Sequence, residues 1–219
     1  MSDPTPLTPD SAPDGPAGST AGSPASGTAP SFGEELLADL TPEFPRSTVT
    51  HTRTIPARQS QTAQWPEWAD ETLVEYLHEQ GVSVPWSHQV ETASHAHAGR
   101  DVVVATGTAS GKSLGYQLAA LSDLATASTA TALYIAPTKA LAQDQRAALA
   151  RMCAGAANLN DIMVATYDGD TPPETRRVIR DQARVIVTNP DMLHASILGN
   201  PRSWSRLLRT LRYVVIDEC

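Results

Sequence analysis

The stretch Asp101-Val102-Val103-Val104-Ala105-Thr106-Gly107-Thr108-Ala109-Ser110-Gly111-Lys112-Ser113 decides the fold. Its first five residues form a short apolar run rich in β-branched side chains, which predicts a buried strand. Thr106–Ser113 is a turn of small and hydroxyl residues, and Leu114–Ala125 has helical composition. Strand, small-residue turn and helix in that order make the setting of a phosphate-binding loop. Small residues let the backbone curl so that successive N–H groups face one point, and the helix N-terminus adds partial positive charge there. Gly111 allows close backbone approach. Lys112 brings a full charge to the β- and γ-phosphates of ATP, and the Ser113 hydroxyl can ligand Mg²⁺. The strict pattern G-x-x-x-x-G-K-[ST] is departed from at its first position, Thr106.

Downstream, the chain alternates. Strands are expected at Ala130–Ala136, Ile162–Ala165, Arg184–Thr188 and Tyr213–Ile216, with helices at Lys139–Cys153, Pro173–Asp181, Asp191–Leu198 and Trp204–Leu208. Strands apolar on both faces alternating with helices predict an α/β fold with a parallel sheet. The last strand runs into Asp217 and Glu218. Beside a phosphate loop, such a pair has a defined chemistry: Asp217 holds the Mg²⁺ shell and Glu218 polarises the attacking water. This reading sets the Asp217 strand next to the Asp101–Ala105 strand. Because the chain stops directly after that strand, at Cys219, a piece of a longer polypeptide is expected.

Upstream, Asp70 reads as an N-cap for a helix to about Gln80 with Gly81 as its stop, and a second helix is expected over Ser87–Ala98. Thr48–Thr52 alternates like a short strand or arm. Residues 1–45 contain no Lys or Arg, seven acidic residues and nine of the 17 prolines. Such a segment has too little apolar surface to offset its ordering entropy, and a disordered tail is expected. The expected organisation is therefore a tail over 1–45, an extension with one helix over 46–84, and the ATP-binding unit over 85–219.

The net charge of −8 is almost all in the tail; residues 46–219 carry 16 basic and 17 acidic side chains. An acidic balance thus does not exclude nucleic acid, but any such surface must be a local patch. No run approaches 18 apolar residues, so no membrane partner is expected. The N-terminus has neither the basic start nor the apolar run of a signal peptide. Two cysteines make no disulfide framework and fit a cytoplasmic setting, with Cys153 read as a packing residue. His95 and His97 flank Ala96 without a third ligand nearby and are read as a solvated helix end.

With these motifs in order, the chain resembles superfamily 2 helicases of the DEAD/DEAH-box type from about Pro85 to Cys219. Pro85-Trp86-Ser87-His88-Gln89 looks like the Q motif, in which Gln89 would read the adenine edge; Trp86 is read as packing under the lobe. Ala136-Pro137-Thr138-Lys139-Ala140-Leu141-Ala142-Gln143-Asp144-Gln145 looks like motif Ia, and Thr188-Asn189-Pro190-Asp191-Met192-Leu193-His194 like motif Ib. The resemblance implies that Pro137, Thr138, Lys139, Thr188, Asn189 and Pro190 face a nucleic-acid backbone. Ala109 stands where such loops usually have a glycine. Tyr167-Asp168-Gly169-Asp170-Thr171-Pro172, taken with the phosphate loop, is similar to the bacterial branch of mitomycin-repair, 3′-to-5′ DNA helicases. The resemblance implies a RecA-like P-loop NTPase lobe, incomplete here, using ATP and Mg²⁺ on single-stranded or partly duplex DNA. It also implies a second RecA-like lobe bearing arginine fingers outside these 219 residues, so this piece alone should bind nucleotide weakly and hydrolyse almost nothing. A non-helicase P-loop ATPase or kinase would explain Lys112, Ser113 and Asp217, but not Gln89 or the motifs Ia and Ib. A non-catalytic binding module would not need Lys112, Ser113, Asp217 and Glu218 together.

Overall fold

The computed structural model describes Glu35, Leu36, Ala38, Asp39, residues 61–107 and residues 110–218. Glu35, Leu36, Ala38 and Asp39 are helical and exposed. The rest of the acidic tail, the Thr48–Thr52 alternation, Thr108, Ala109 and Cys219 lie outside the described residues.

From residue 61 onward, the elements are α1 (Glu71–Glu79), α2 (Ser87–His97), α3 (Lys112–Thr126), β1 (Thr131–Ile135), α4 (Lys139–Gly155) and β2 (Val164–Thr166). Then come α5 (Pro173–Gln182), β3 (Val185–Thr188), α6 (Pro190–Met192), α7 (Ser205–Arg209) and β4 (Leu211–Ile216). A 3₁₀ turn at Ala157–Leu159 follows α4, and a π-helical turn at Leu193–Leu198 continues α6. The four strands form one parallel sheet in the order β2-β3-β1-β4.

Both faces of the central strands are covered. Ala132, Tyr134, Val185 and Val187 pack with Leu118 and Leu121 of α3 and Leu149 and Cys153 of α4. On the other face, Leu133, Ile135 and Ile186 pack with Ile179, Ile197, Trp204 and Leu207. Parallel strands whose crossovers are helices must be apolar on both sides, which is why β1 and β3 are buried throughout.

Asp70 caps α1 as expected, its Oδ1 accepting from the Leu73 N–H at 2.9 Å. Its other oxygen accepts from Asn158 Nδ2 at 2.8 Å, beyond the end of α4. Burial works against the Asp70 charge, but the bonds from Asn158, Thr72 and the Leu73 amide hold its carboxyl below the ordinary value. A second tie runs through buried Asp123 of α3. Its Oδ1 lies 2.7 Å from His97 Nδ1, and its Oδ2 accepts from Tyr213 Oη at 2.6 Å and Arg212 Nε at 3.1 Å on β4. Trp68 stacks on the His97 ring with centroids 4.1 Å apart. One carboxylate thus fastens α2, α3 and β4 together, and His97, expected at a solvated helix end, is instead a structural partner.

Three expectations about strands need correction. Asp101–Ala105 is not a strand: the segment takes no regular secondary structure, and Val103 is 93% exposed. A strand persists only where its amides and carbonyls find a neighbour, and among the described residues none lies alongside. For the same reason β4 does not pair with this segment; it pairs with β1, from Thr131↔Leu211 to Ile135↔Ile216. Nor is β4 buried on both faces, since Val214 and Ile216 are 53% and 58% exposed while Val215 is buried.

Candidate nucleotide and nucleic-acid site

The site lies at the carboxyl edge of the sheet, where parallel α/β folds place their ligands. In sheet order, that edge carries Tyr167–Pro172 after β2, Thr188–Pro190 at β3, Pro137–Lys139 after β1 and Asp217–Glu218 after β4. The Ala136 N–H donates to Thr188 O at 2.9 Å and the Asp217 N–H to Ile135 O at 3.0 Å, so the strand exits stay in register.

Gly111 is the N-cap of α3 and has φ 69°, in the left-handed region that glycine enters at no steric cost. A Cβ there would also stand 2.7 Å from Gln89 Nε2. This turn aims the first N–H groups of α3 out of the helix end. The loop is tied on its flanks: Thr106 Oγ1 and Ser110 Oγ are 2.6 Å apart, and His88 Nε2 lies 3.0 Å from Ser110 O. Lys112 Nζ curls back to Thr106 O at 3.5 Å.

Gln89 is 4% exposed. Its Nε2 donates to Gly111 O at 2.8 Å and its Oε1 accepts from the Trp86 N–H at 2.8 Å. The amide expected to read an adenine is thus engaged with Gly111 and with the start of its own helix. Trp86, expected to pack under the lobe, is 45% exposed.

Ser113 and Asp217 each bond a side chain that the sequence reading did not single out. Tyr116 Oη donates to Ser113 Oγ at 3.0 Å. Burial, with the nearby Asp217 charge adding to it, pushes the Tyr116 hydroxyl up to about 12. Gln145 Nε2 donates to Asp217 Oδ2 at 2.9 Å, and Gln117 Nε2 of α3 donates to Gln145 Oε1 at 3.3 Å. Tyr116 lies three residues after Ser113, on the same helix face, and that spacing was a readable signal. Glu218 is exposed with φ 55°, a backbone state uncommon for a non-glycine residue. The oxygen donors of Ser113 and Asp217 suit a hard divalent cation such as Mg²⁺.

The segments expected to meet nucleic acid divide into exposed and inward groups. Pro137, Thr138 and Lys139 are exposed, and Thr138 Oγ1 caps α4 by accepting from the Leu141 N–H at 3.2 Å. Lys139 Nζ pairs with Asp170 Oδ2 at 2.5 Å, and this hydrogen-bonded carboxylate raises the lysine's pKa. Thr188 is buried and spends its hydroxyl on Tyr167 O at 2.7 Å, while Asn189 caps α6 through the Met192 N–H at 2.9 Å. The Tyr167–Pro172 turn is closed on itself: Asp168 Oδ1 accepts from the Asp170 N–H at 2.9 Å, and Arg176 Nε donates to Thr171 O at 2.9 Å. A groove of about 620 Å³ runs between this turn, β2 and α4, with Lys139, Gln143 and Arg146 on one wall.

Residues 86–219 match the DEAD/DEAH box helicase family. The chain belongs to that family. It is 44% identical over 176 residues to the ATP-dependent helicase HRQ1 of Saccharomyces cerevisiae, covering 80% of this chain and 16% of that protein. It is 39% identical over 184 residues to the ATP-dependent helicase YprA of Bacillus subtilis, covering 84% of this chain and 24% of that one. Among solved structures, the DUF1998 helicase MrfA bound to DNA and AMPPNP superposes with a TM-score of 0.76 at 38% identity, covering 84% of this chain and 25% of that chain. The DEAD/DEAH box helicase chain therefore spans 16–25% of the length of these relatives. Among its described residues, no helix is long and apolar enough to cross a membrane.

Proposed function

We propose that the chain forms the first ATP-binding lobe of a DNA helicase or translocase acting from a cytoplasmic setting. One observation supports the reading: Tyr116, bonded to Ser113 at the start of α3, lies near the Asp217 charge at the end of β4, and Gln145 ties that carboxylate to Gln117 of the same helix. In this reading, the amides opening α3 and the Lys112 ammonium receive the β- and γ-phosphates of ATP. Ser113 and Asp217 hold Mg²⁺, which when bound neutralises charge on the phosphate oxygens. Glu218 orients the attacking water.

Exposed Pro137–Lys139 and the Asn189–Pro190 turn lie along the same sheet edge. They offer amides and a lysine to a backbone phosphate without reading bases. The complex of MrfA with DNA and AMPPNP supports DNA as the strand. Catalysis further requires a second RecA-like lobe whose arginine meets the γ-phosphate, an element worth roughly 10³–10⁵ in rate where tested.

The test uses the full-length polypeptide. Its ATPase should rise on addition of single-stranded DNA, and Lys112→Ala should lower turnover by at least about 10³-fold, the loss expected when a principal charge on the transferring phosphoryl group is removed. An ATPase indifferent to DNA, or a Lys112→Ala protein with parental turnover, would sink the reading.

A further inference from the structure

The geometry points to Gln145 as the residue that couples nucleic-acid binding on α4 to the metal-holding carboxylate. This inference rests on the function proposed above.

Helix α4 begins at Lys139 with Thr138 as its cap, among the residues placed against the strand. Gln145 follows Thr138 by seven residues, which is two helical turns, or about 10 Å along one rigid face. There its amide meets Asp217. Nε2 donates to Asp217 Oδ2 at 2.9 Å, while Oε1 accepts from Gln117 Nε2 at 3.3 Å.

The two partners fix the amide orientation. Asp217 offers only acceptors and Gln117 presents a donor, so the Gln145 carbonyl must face α3 and its NH₂ must face β4. Gln117 is 3% exposed, in the helix that opens with Lys112 and Ser113. A single side chain of α4 therefore touches the metal-holding carboxylate on one side and the phosphate-loop helix on the other. Among the hydrogen bonds of the described residues, it is the one that joins α4 to Asp217.

When the start of α4 is drawn onto a backbone phosphate, a small rotation of the helix moves the Gln145 donor. The Asp217 carboxylate turns with it, changing how well it meets the cation. In this proposal Gln145 acts through Asp217 and is a positioning residue. By linkage, the effect runs both ways, so nucleotide with Mg²⁺ tightens the grip on the strand by the same factor.

The experiment measures, in the full-length protein, the affinity for a non-hydrolysable ATP analogue with Mg²⁺, with and without single-stranded oligothymidylate. The unaltered protein should give a ratio of roughly 5–150, the ordinary range of such coupling. Gln145→Met keeps length and helix propensity but removes donor and acceptor. It should bring the ratio to within about twofold of one, while oligothymidylate affinity without nucleotide stays within about threefold of the parent. Gln117→Met removes only the group steadying the Gln145 carbonyl and should give an intermediate ratio; it decides the matter if Gln145→Met does not fold. A parental ratio in both variants overturns the inference. So does a Gln145→Met protein that loses oligothymidylate affinity equally with and without nucleotide, since that marks a plain strand contact. A ratio of one in the unaltered protein overturns the motor reading itself.

Discussion

At the scale of single residues, Cys153 shows how packing decides chemistry. It is buried between α4 and the sheet, and burial pushes its thiol from an ordinary 9.0 to about 12. Well below pH 9 the thiol is protonated whether the chain is folded or unfolded, and it contributes no pH dependence. Between pH 9 and 12 the unfolded chain ionises Cys153 while the folded chain keeps its proton, so the unfolded state gains and stability falls as pH rises. Urea unfolding between pH 9 and 10 must compare the parent with Cys153→Ala, because Tyr116, Tyr134 and Tyr213, also raised by burial, share the loss of stability as pH nears 10. Cys153→Ala should give a visibly flatter stability profile across that window; an unchanged slope would contradict the burial. The reading of Cys153 as a packing residue came from composition alone. The roles of Gln89 and Gln145 did not, because an amide's partners depend on which loop folds back to it. Gln89 carries an adenine-reading expectation by resemblance, yet its neighbours here are Gly111 O and the Trp86 N–H.

Among elements, the legible ones carry their own boundaries. Asp70 and Gly81 bracket α1 in the sequence, and the structure puts a capping carboxylate at the first and φ 87° at the second. Asp101–Ala105 had the composition of a strand but no local feature that could guarantee a neighbour. Pairing is a long-range property, and a β-branched run alone does not supply it. The π-helical turn at Leu193–Leu198 was equally invisible, since its sequence has ordinary helical content. The packing of α1 on α4 rests on Gly155, where a Cβ would stand 2.1 Å from Tyr76 Cδ2 and 2.3 Å from Cε2. Gly155→Ala must push the Tyr76 ring off the end of α4, disturbing the Asn158–Asp70 bond beside it. We expect a loss of about 1–3 kcal/mol by urea denaturation, the usual cost of overpacking. Tyr76→Ala in the same background should recover part of it. An additive double mutant would show that the contact is not the cause.

For the molecule as a whole, charge is segregated: the first 45 residues are strongly acidic, and the remainder is nearly neutral. If the tail takes no part in the site, removing residues 1–45 should leave the affinity of the full-length protein for the Mg²⁺-bound ATP analogue within about twofold of parental, since screened charges beyond roughly 10 Å contribute little at 0.1 M salt. A larger change, measured by equilibrium titration, would assign the tail a part in nucleotide binding.

Strand β4 has a further consequence. Among the described residues it stands last in the sheet and turns Val214 and Ile216 toward water. A flank like this is adhesive, and the 219-residue polypeptide should self-associate as its concentration climbs, through a lateral seam that Val214→Lys would blunt.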